Sequence, residues 1–377
     1  MKELELHDRL MMLLLKNNLT EEEKEEVNEL IKCTAMNWEM FLGKVCFNRV
    51  NGMVYKNLRE FRGVPREIKL VFDMLFNAQI EKLVAHKRTI NQISELFRKN
   101  NIRHAFLKGS VLNSVIYPAG TRISNDTDIL VSSKQLNAVE KLLTSIGFVQ
   151  GNYNKATDTI EKASLSRKMY LKMNTHEIHP FTKLEDNRFL HVNAVDINFK
   201  LSALDSLEVT EYLLDNVREI EINGVKLCSL NWDYFFVQLA SHLYREARLA
   251  TKIMSGSDMH FYKYYDFYMI LNNDTININW NNVIEICEKA GQLKAVYYAL
   301  YCVEQLFPNT VSSEIFDKFM LDNYDFVDEY VGRQEDGEIY YWKRPFIDRF
   351  FDFKRRLEIN QNVDDASNGF KSNLFSI

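Results

Sequence analysis

The chain has 377 residues, of which 46% are hydrophobic and 26% are charged, while glycine and proline are scarce at 13 and 5. This length allows two or three domains, each with its own core, and the composition excludes a disordered or collagen-like chain. The formal net charge of −5 gives no global attraction to nucleic acid or to an anionic membrane, so neither is an expected partner.

Residues 1–99 are predicted to form a helical lead-in. Thr20 and Glu23 have the spacing of a capping box, and apolar residues recur at helical spacing in VNELIKC, WEMFLGKVCF and VFDMLFNAQIEKLV. The start, MKELELHDRL, lacks the apolar region of a signal peptide, and the run MMLLL at 11–15 is too short to span a bilayer. Five cysteines without paired spacing are typical of reduced thiols, so we expect a cytoplasmic protein.

Residues 100–205 alternate between strand-like and helical segments. HAFLKG, DTDILVS and AVDINFKLS read as strands, a fourth strand is predicted near LSRKMYLKM, and SKQLNAVEKLLTSIGF reads as a helix that ends at Gly147. We therefore predict an α+β protein whose small mixed-sheet catalytic domain occupies this range.

Residues 206–345 return to long helical patterns and are predicted to form a helical C-terminal domain, with Asn279 as the N-cap of one helix. Residues 346–377 are set apart as a basic-aromatic segment followed by a polar tail, DDASNGFKSN, which we expect to be frayed.

Two aspartates in the segment DTDILV carry the strongest functional signal. Side chains at i and i+2 of a strand share a face, so Asp126 and Asp128 project together and repel each other. A divalent cation such as Mg²⁺ removes that repulsion, and paired carboxylates of this kind serve phosphoryl transfer. In VDINF, the apolar residues occupy one face and leave Asp196 on the other, so Asp196 is the predicted third metal ligand and the proton acceptor.

The segment LKGS is a candidate phosphate-binding turn. A Gly-Ser turn between a strand and a helix presents backbone N–H groups, a hydroxyl and a helix N-terminus to an anion. Gly109 and Ser110 are therefore predicted to hold phosphates, and Lys108 and Arg122 can add positive charge. A plain strand-to-helix connection is an equal alternative for the turn alone, but the DTD segment begins seventeen residues after Gly109 and favours the functional interpretation.

Together these residues resemble the nucleotidyltransferase superfamily of DNA polymerase beta. More narrowly, LKGSVLNSVIYPAGTRISNDTDILV is similar to a bacterial nucleotidyltransferase family with a Lys-Gly turn, a Tyr-Pro dipeptide and an arginine four residues before the aspartate pair. In this chain those features are Lys108, Gly109, Tyr117, Pro118, Arg122, Asp126 and Asp128. The resemblance covers about residues 37–300, because the flanking helical segments are also similar.

The resemblance implies transfer of a nucleoside monophosphate from an NTP, with ATP the expected donor, to an acceptor hydroxyl, with Mg²⁺ or Mn²⁺ as the metal. Pyrophosphate is released by two-metal catalysis. A small-molecule acceptor is favoured, because the chain is acidic and shows no clear basic groove. Two alternatives stay open: an AMPylating-type enzyme that modifies proteins in a toxin-antitoxin or defence system, and an inactive nucleotide-binding scaffold.

Other segments invite functional interpretations that the sequence does not favour. HEIH contains His176, Glu177 and His179, but its spacing is one residue short of the zinc-protease motif, which leaves Glu177 as a spare acid. His242 and Arg245 lie one helical turn apart and can face a nucleotide cleft, although a core or surface histidine is the more common case.

Aromatic and basic residues of the C-terminal half give two further candidates. Tyr264 and Tyr265 can stack on a base, but so many aromatic residues of this chain are expected in the core that the assignment is weak. A phosphate or RNA surface is possible where five cations are interleaved with Phe and Trp, but a solvated amphipathic helix is favoured there. These cations are Lys343, Arg344, Lys354, Arg355 and Arg356.

Overall fold

The computed structural model describes residues 4–202, 205–222, 225–332 and 337–359. Helices surround a mixed β-sheet and occupy both ends of the chain, so the predicted α+β class with N-terminal helices and a helical C-terminal part is confirmed. The domain boundaries drawn from the sequence stay a prediction.

The N-terminal part is helical, as predicted. Its helices are α1 (Leu6–Leu14), α2 (Glu21–Lys32), α3 (Trp38–Phe47), α4 (Asn51–Leu58) and α5 (Arg66–Lys99). The Thr20 side chain accepts from the Glu23 backbone N–H, and the Glu23 carboxylate accepts from the Thr20 N–H, which confirms the capping box. The 34-residue helix α5 reaches the sheet, where Ser94 Oγ donates to the Lys226 carbonyl at 2.6 Å.

Eight strands of the described residues form the sheet. They are β1 (His104–Phe106), β2 (Asp126–Val131), β3 (Val149–Asn154), β4 (Thr159–Lys162), β5 (Phe181–Leu184), β6 (Val192–Asn198), β7 (Val217–Ile222) and β8 (Val225–Leu230). Their order is β4-β3-β5-β6-β2-β1-β8-β7. The pairs β2–β6 and β1–β8 are parallel and the other neighbours are antiparallel, so the sheet is mixed.

Three helices lie between the strands of the first half of the sheet: α6 (Lys108–Val115), α7 (Leu136–Ser145) and α8 (Leu165–Asn174). The chain leaves α7 through Gly147, whose φ of 91° is in the left-handed region that favours glycine, as predicted. The predicted strand near LSRKMYLKM is wrong, because this segment is α8. The Ser164 side chain accepts from the Arg167 N–H and starts the helix there.

The sheet also extends past residue 205, into the range predicted to be helical. In VREIEI, glutamate and isoleucine alternate from Glu219 to Ile222, which is the period of a strand, and the second segment is VKLCSL. These segments are β7 and β8, and β8 pairs with β1 at the point where Phe106 faces Ser229.

The C-terminal part contains α9 (Leu207–Asp215), α10 (Trp232–Arg248), α11 (Ala250–Met254), α12 (Phe261–Leu271), α13 (Trp280–Ala290), α14 (Leu293–Leu306), α15 (Ser313–Phe316), β9 (Glu329–Val331), β10 (Ile339–Tyr341) and α16 (Phe346–Phe350). The Asn279 side chain accepts from the Asn281 N–H and caps α13, as predicted. None of the helices in the described ranges has both the length and the apolar character to cross a membrane.

The basic-aromatic segment is partly buried. Of the five cations singled out there, Arg355 is 2% exposed, whereas Lys343 and Lys354 are exposed. Arg349, in the same segment, is 1% exposed. The two interpretations of the segment as a surface stay predictions. Arg355 donates to both carboxylate oxygens of Asp258, at 3.0 and 2.6 Å, and Arg349 is ion-paired with Asp328. The buried ion pairs anchor the segment to the rest of the protein. The tail DDASNGFKSN lies outside the described residues.

Candidate active site

Three carboxylates lie on one face of the sheet where β2 and β6 run side by side. The two strands are parallel, and their register pairs Asp128 with Asp196 and Asp126 with Ala194. The side chains of Ile129 and Ile197, on the opposite face, are fully buried. The alternation that buries these isoleucines therefore directs the aspartates to the other face of the sheet.

Negative charge accumulates at this face. Burial, followed by the charges of Asp128 and Asp126, raises the pKa of Asp196 well above its ordinary value. Glu177, in the loop after α8, forms a β-bridge with Asn198 at the end of β6. Burial also raises the pKa of Glu177. The sequence offered Glu177 only as a spare acid, and the fold brings it to the same cleft as the aspartates.

Lys108 supplies a positive charge to this carboxylate group. Its Nζ donates to Asp128 Oδ1 at 2.6 Å, and the two side chains are 17% and 5% exposed. Burial alone would lower the pKa of Lys108, but the charges of Asp128 and Asp126 outweigh burial and hold it above the ordinary value. The backbone φ of Lys108 is 44°, a left-handed conformation that is uncommon outside glycine and often marks functional sites.

Gly109 allows a close approach at the start of α6. A Cβ at this position would lie 2.3 Å from Ser124 Oγ and 2.8 Å from Arg122 Nη1. Ser110 is buried, and its hydroxyl has no hydrogen-bond partner among the described residues. It faces a small cavity next to His86, whereas Gly109 lines both that cavity and the main cleft. The predicted phosphate-binding role of Gly109 and Ser110 stays a prediction.

Arg122 connects the sheet to the C-terminal helices. Its Nε and Nη2 donate to the two carboxylate oxygens of Asp266 in α12, both at 2.7 Å, and the Tyr117 hydroxyl donates to the same carboxylate at 2.8 Å. The guanidinium is buried and its charge is already paired. Nucleotide binding by Arg122 stays a prediction, but the side chain has a structural function that sequence reasoning missed.

A cleft of about 490 Å³ lies between the carboxylate face and helices α10 and α12. Its far side carries the cations Arg49, Arg245, Lys252 and Lys263. The Nζ atoms of Lys252 and Lys263 lie 2.8 and 2.7 Å from the Glu246 carboxylate. Within the described ranges, Arg49 has no hydrogen-bonded or ion-paired side-chain partner, and its guanidinium lies 5.9 Å from the centre of the Tyr262 ring.

His242 and His176 also line the cleft. The sequence favoured a core or surface position for His242, and the structure places this residue and Arg245 together in the cleft, where Arg245 Nη2 is 3.0 Å from His242 Nδ1. Burial, followed by the charge of Lys108, lowers the pKa of His242 to about 4. Burial and Arg245 lower the pKa of His176 well below its ordinary value. Both rings are therefore neutral near pH 7.

The structure corrects the aromatic candidates of α12. Tyr264 and Tyr265 are 0% and 2% exposed, so neither can stack on a nucleotide base. Tyr262 lines the cleft instead, four residues before Asp266 and therefore on the same side of the helix. Sequence spacing alone gave no signal that distinguished Tyr262 from its aromatic neighbours.

The donor atoms of the carboxylate face are of the type that hard divalent cations prefer, since all of them are carboxylate oxygens. Asp126, Asp128 and Asp196 also carry more negative charge than Lys108 balances. As the side chains stand in the described part of the chain, no three His, Cys, Asp or Glu residues are grouped to hold a metal ion. In this arrangement, Asp128 accepts a hydrogen bond from Lys108 Nζ.

A cation-lined cleft that faces carboxylates on a mixed sheet belongs to the class of sites used for phosphoryl transfer. The chain is a member of the family described as "Uncharacterised nucleotidyltransferase", whose model matches residues 34–308. That range includes every cleft residue named above.

Comparisons with solved structures and with curated proteins add little to this family assignment. A nucleotidyltransferase-like antigenic protein from Paracoccidioides brasiliensis is similar over 63% of this chain and 92% of its own, with 11% identity and a TM-score of 0.30. No curated protein matches the sequence significantly.

Proposed function

We propose that the protein is a metal-dependent nucleotidyltransferase that moves a nucleoside monophosphate from an NTP, with ATP the expected donor, to a hydroxyl of a small molecule. The observation that carries the proposal is the pairing of Asp128 with Asp196 in register on parallel strands, with Asp126 on the same face. Membership of a nucleotidyltransferase family supports the reaction class. The narrower motif type with the Lys-Gly turn, its bacterial origin and a cytoplasmic location belong to the same proposal.

Asp126, Asp128 and Asp196 are the residues proposed to hold Mg²⁺ or Mn²⁺. When bound, the metal supplies positive charge to the phosphates and to the attacking oxygen. On the opposite side of the cleft, Arg49, whose charge is not paired among the described residues, and Lys252 would bind the triphosphate. The N–H groups at Gly109 would bind it from the side of the carboxylates. Tyr262 is the proposed contact for the base.

Asp196 is the proposed proton acceptor. In the reaction, the acceptor oxygen forms a bond to the α-phosphorus, the bond from that phosphorus to the bridging oxygen breaks, and pyrophosphate leaves. The hydroxyl proton passes to the Asp196 carboxylate. Asp196 lies beside Asp128 in register on the neighbouring strand, so its carboxylate can bind the metal and also accept the proton of an acceptor hydroxyl held there.

A transfer assay tests the proposal. The protein is incubated with Mg²⁺, an NTP labelled at the α-phosphate and a metabolite extract, and the products are separated by size. We expect the label to move to a small molecule while pyrophosphate is released, and we expect Asp196→Asn to abolish both. Label on protein would instead support the AMPylating alternative. Tight NTP binding with no pyrophosphate release from any extract would support the inactive scaffold.

A further inference from the structure

A second cavity lies directly beside the catalytic cleft. Its volume is about 550 Å³, and Arg245 and Leu249, at the end of α10, line both spaces. We propose that this second cavity binds an oxyanion group, phosphate or carboxylate, of the acceptor molecule. The identification of this molecule as the acceptor rests on the proposed function. The oxyanion site itself is inferred from the residues that line the cavity.

Most of the charged residues that line the second cavity are cations. Besides Arg245, the lining contains Arg248, Lys289 and Lys294. Among the described lining residues, Asp205 is the one carboxylate, and both of its oxygens are occupied. Oδ2 accepts from the Ser202 N–H at 2.7 Å and Oδ1 accepts from Gln292 Nε2 at 3.2 Å. The described part of the lining therefore has four cationic side chains and one carboxylate.

Lys294 is the cation with the most available charge. Arg248 and Lys289 already have carboxylate partners, Glu329 at 2.6 Å and Glu285 at 2.5 Å. Lys294 forms no ion pair with any residue in the described ranges, and its Nζ lies 5.4 Å from the centre of the Phe326 ring. Lys294 is exposed, and its ammonium group is available to a bound oxyanion.

Two neutral groups add hydrogen-bond donors to the same cavity. Ser241 is 4% exposed, lines the cavity, and has no hydrogen-bond partner for its hydroxyl among the described residues. The 14-residue helix α14 begins at the cavity, and the Gln292 side chain does not cap it. The N–H groups of its first turn can therefore donate to an anion, which the helix dipole also favours.

The position of this site explains how it would serve transfer. A small molecule anchored by its oxyanion in the second cavity can extend past Arg245 into the cleft that holds Asp196. The oxyanion would thus select the acceptor and position its hydroxyl, while the donor nucleotide occupies the first cleft.

Inorganic phosphate is the probe for the site. Its ³¹P NMR line width is titrated against the full chain, first alone and then with Mg²⁺ and a saturating non-hydrolysable ATP analogue that fills the cleft. We expect saturable broadening that persists in the presence of the analogue. Lys294→Gln should weaken phosphate binding about threefold, as expected for an exposed ion pair, and Ser241→Ala about tenfold, as expected for loss of a buried donor to a charged group.

Lys155→Gln is the matched control, because Lys155 is an exposed lysine remote from both cavities, and it should bind phosphate as the wild type does. Displacement of bound phosphate by equimolar acetate indicates a carboxylate-bearing acceptor, and resistance to acetate indicates a phosphate-bearing one. Both results uphold the site.

Two results would overturn the proposal: complete displacement of phosphate by the ATP analogue, or wild-type affinity in both Lys294→Gln and Ser241→Ala. If no ATP analogue binds at all, the proposed function fails, but the titration with phosphate alone still decides whether the second cavity binds an oxyanion.

Discussion

Replacing Lys108 with methionine should make the stability of the protein depend on divalent cations. The Lys108 Nζ lies 2.6 Å from Asp128 Oδ1, and the two side chains are 17% and 5% exposed. At that distance the gross attraction is about 6 kcal/mol for an effective dielectric constant of about 20. Desolvation offsets much of this, and removal of one partner of a buried pair typically costs about 3–5 kcal/mol. Lys108→Met should therefore lower the free energy of unfolding by about 3 kcal/mol in EDTA.

A divalent cation should restore much of that loss, because it would neutralise the carboxylates that Lys108 no longer balances. A ligand at a hundredfold excess over its Kd adds about 2.7 kcal/mol of stability. The assay is urea denaturation in EDTA and in MgCl₂, together with Mn²⁺ titration calorimetry. We expect the variant to bind Mn²⁺ more tightly than the wild type does, because a competing ammonium group is removed.

The matched control is the double variant Lys108→Met with Asp128→Asn, in which neither member of the pair is charged. It should be more stable in EDTA than the single variant and should gain less from MgCl₂. The reasoning is refuted if Lys108→Met has wild-type stability in EDTA and the same response to Mg²⁺, since Lys108 would then not balance the carboxylate charge.

Three further predictions concern the framework around the site. Gly52→Ala should destabilise the protein by about 3 kcal/mol in urea denaturation, because a Cβ there would lie 2.2 Å from the Gly120 carbonyl oxygen. The helical control Gly43→Ala has open space around its Cβ and should stabilise the protein by up to about 1 kcal/mol. Equal effects of the two substitutions would contradict this explanation. Asp266→Asn should lower the free energy of unfolding by about 3 kcal/mol, because it leaves the buried Arg122 charge uncompensated. The same change should weaken the packing of α12, which hydrogen exchange would detect as faster amide exchange in that helix. Burial lowers the pKa of His86 to about 4. Between about pH 6.5 and 4, His86 is therefore protonated mainly in the unfolded chain, so the stability of the folded protein falls as the pH is lowered through that range. At pH 5.5 this effect lowers the free energy of unfolding by about 1.3 kcal/mol relative to pH 7.5, and His86→Gln should remove that loss. If the variant shows the same pH dependence of stability as the wild type, His86 is not its cause.

Local signals in the sequence predicted the local structure well. The Thr20–Glu23 capping box, the cap at Asn279 and the turn at Gly147 each depend on a few adjacent residues, and the structure contains all three. The segment LSRKMYLKM was wrongly predicted as a strand, although it is rich in the helix formers Leu, Met, Lys and Arg and a serine cap precedes it.

The sequence did not predict features that depend on contacts between residues far apart in the chain. Asp266, the ion-pair partner of Arg122, lies 144 positions further along the chain, and the sequence near Arg122 gave no signal of it. Arg355 is buried because Asp258 neutralises it, and neither the sequence near residue 355 nor its composition indicates that pairing. The cations opposite the carboxylates come from α10, α11, α12 and Arg49, and only the fold brings them together.

The central claim is that the carboxylate face binds a metal together with an NTP. The most direct test is calorimetry of a non-hydrolysable ATP analogue with Mg²⁺, on the wild type, on Asp126→Asn with Asp128→Asn, and on the control Asp274→Asn, an exposed aspartate outside the cleft. We predict Mg²⁺-dependent binding to the wild type and to the control, and none to the double variant. Binding that is independent of Mg²⁺, or equal in all three proteins, would contradict the claim.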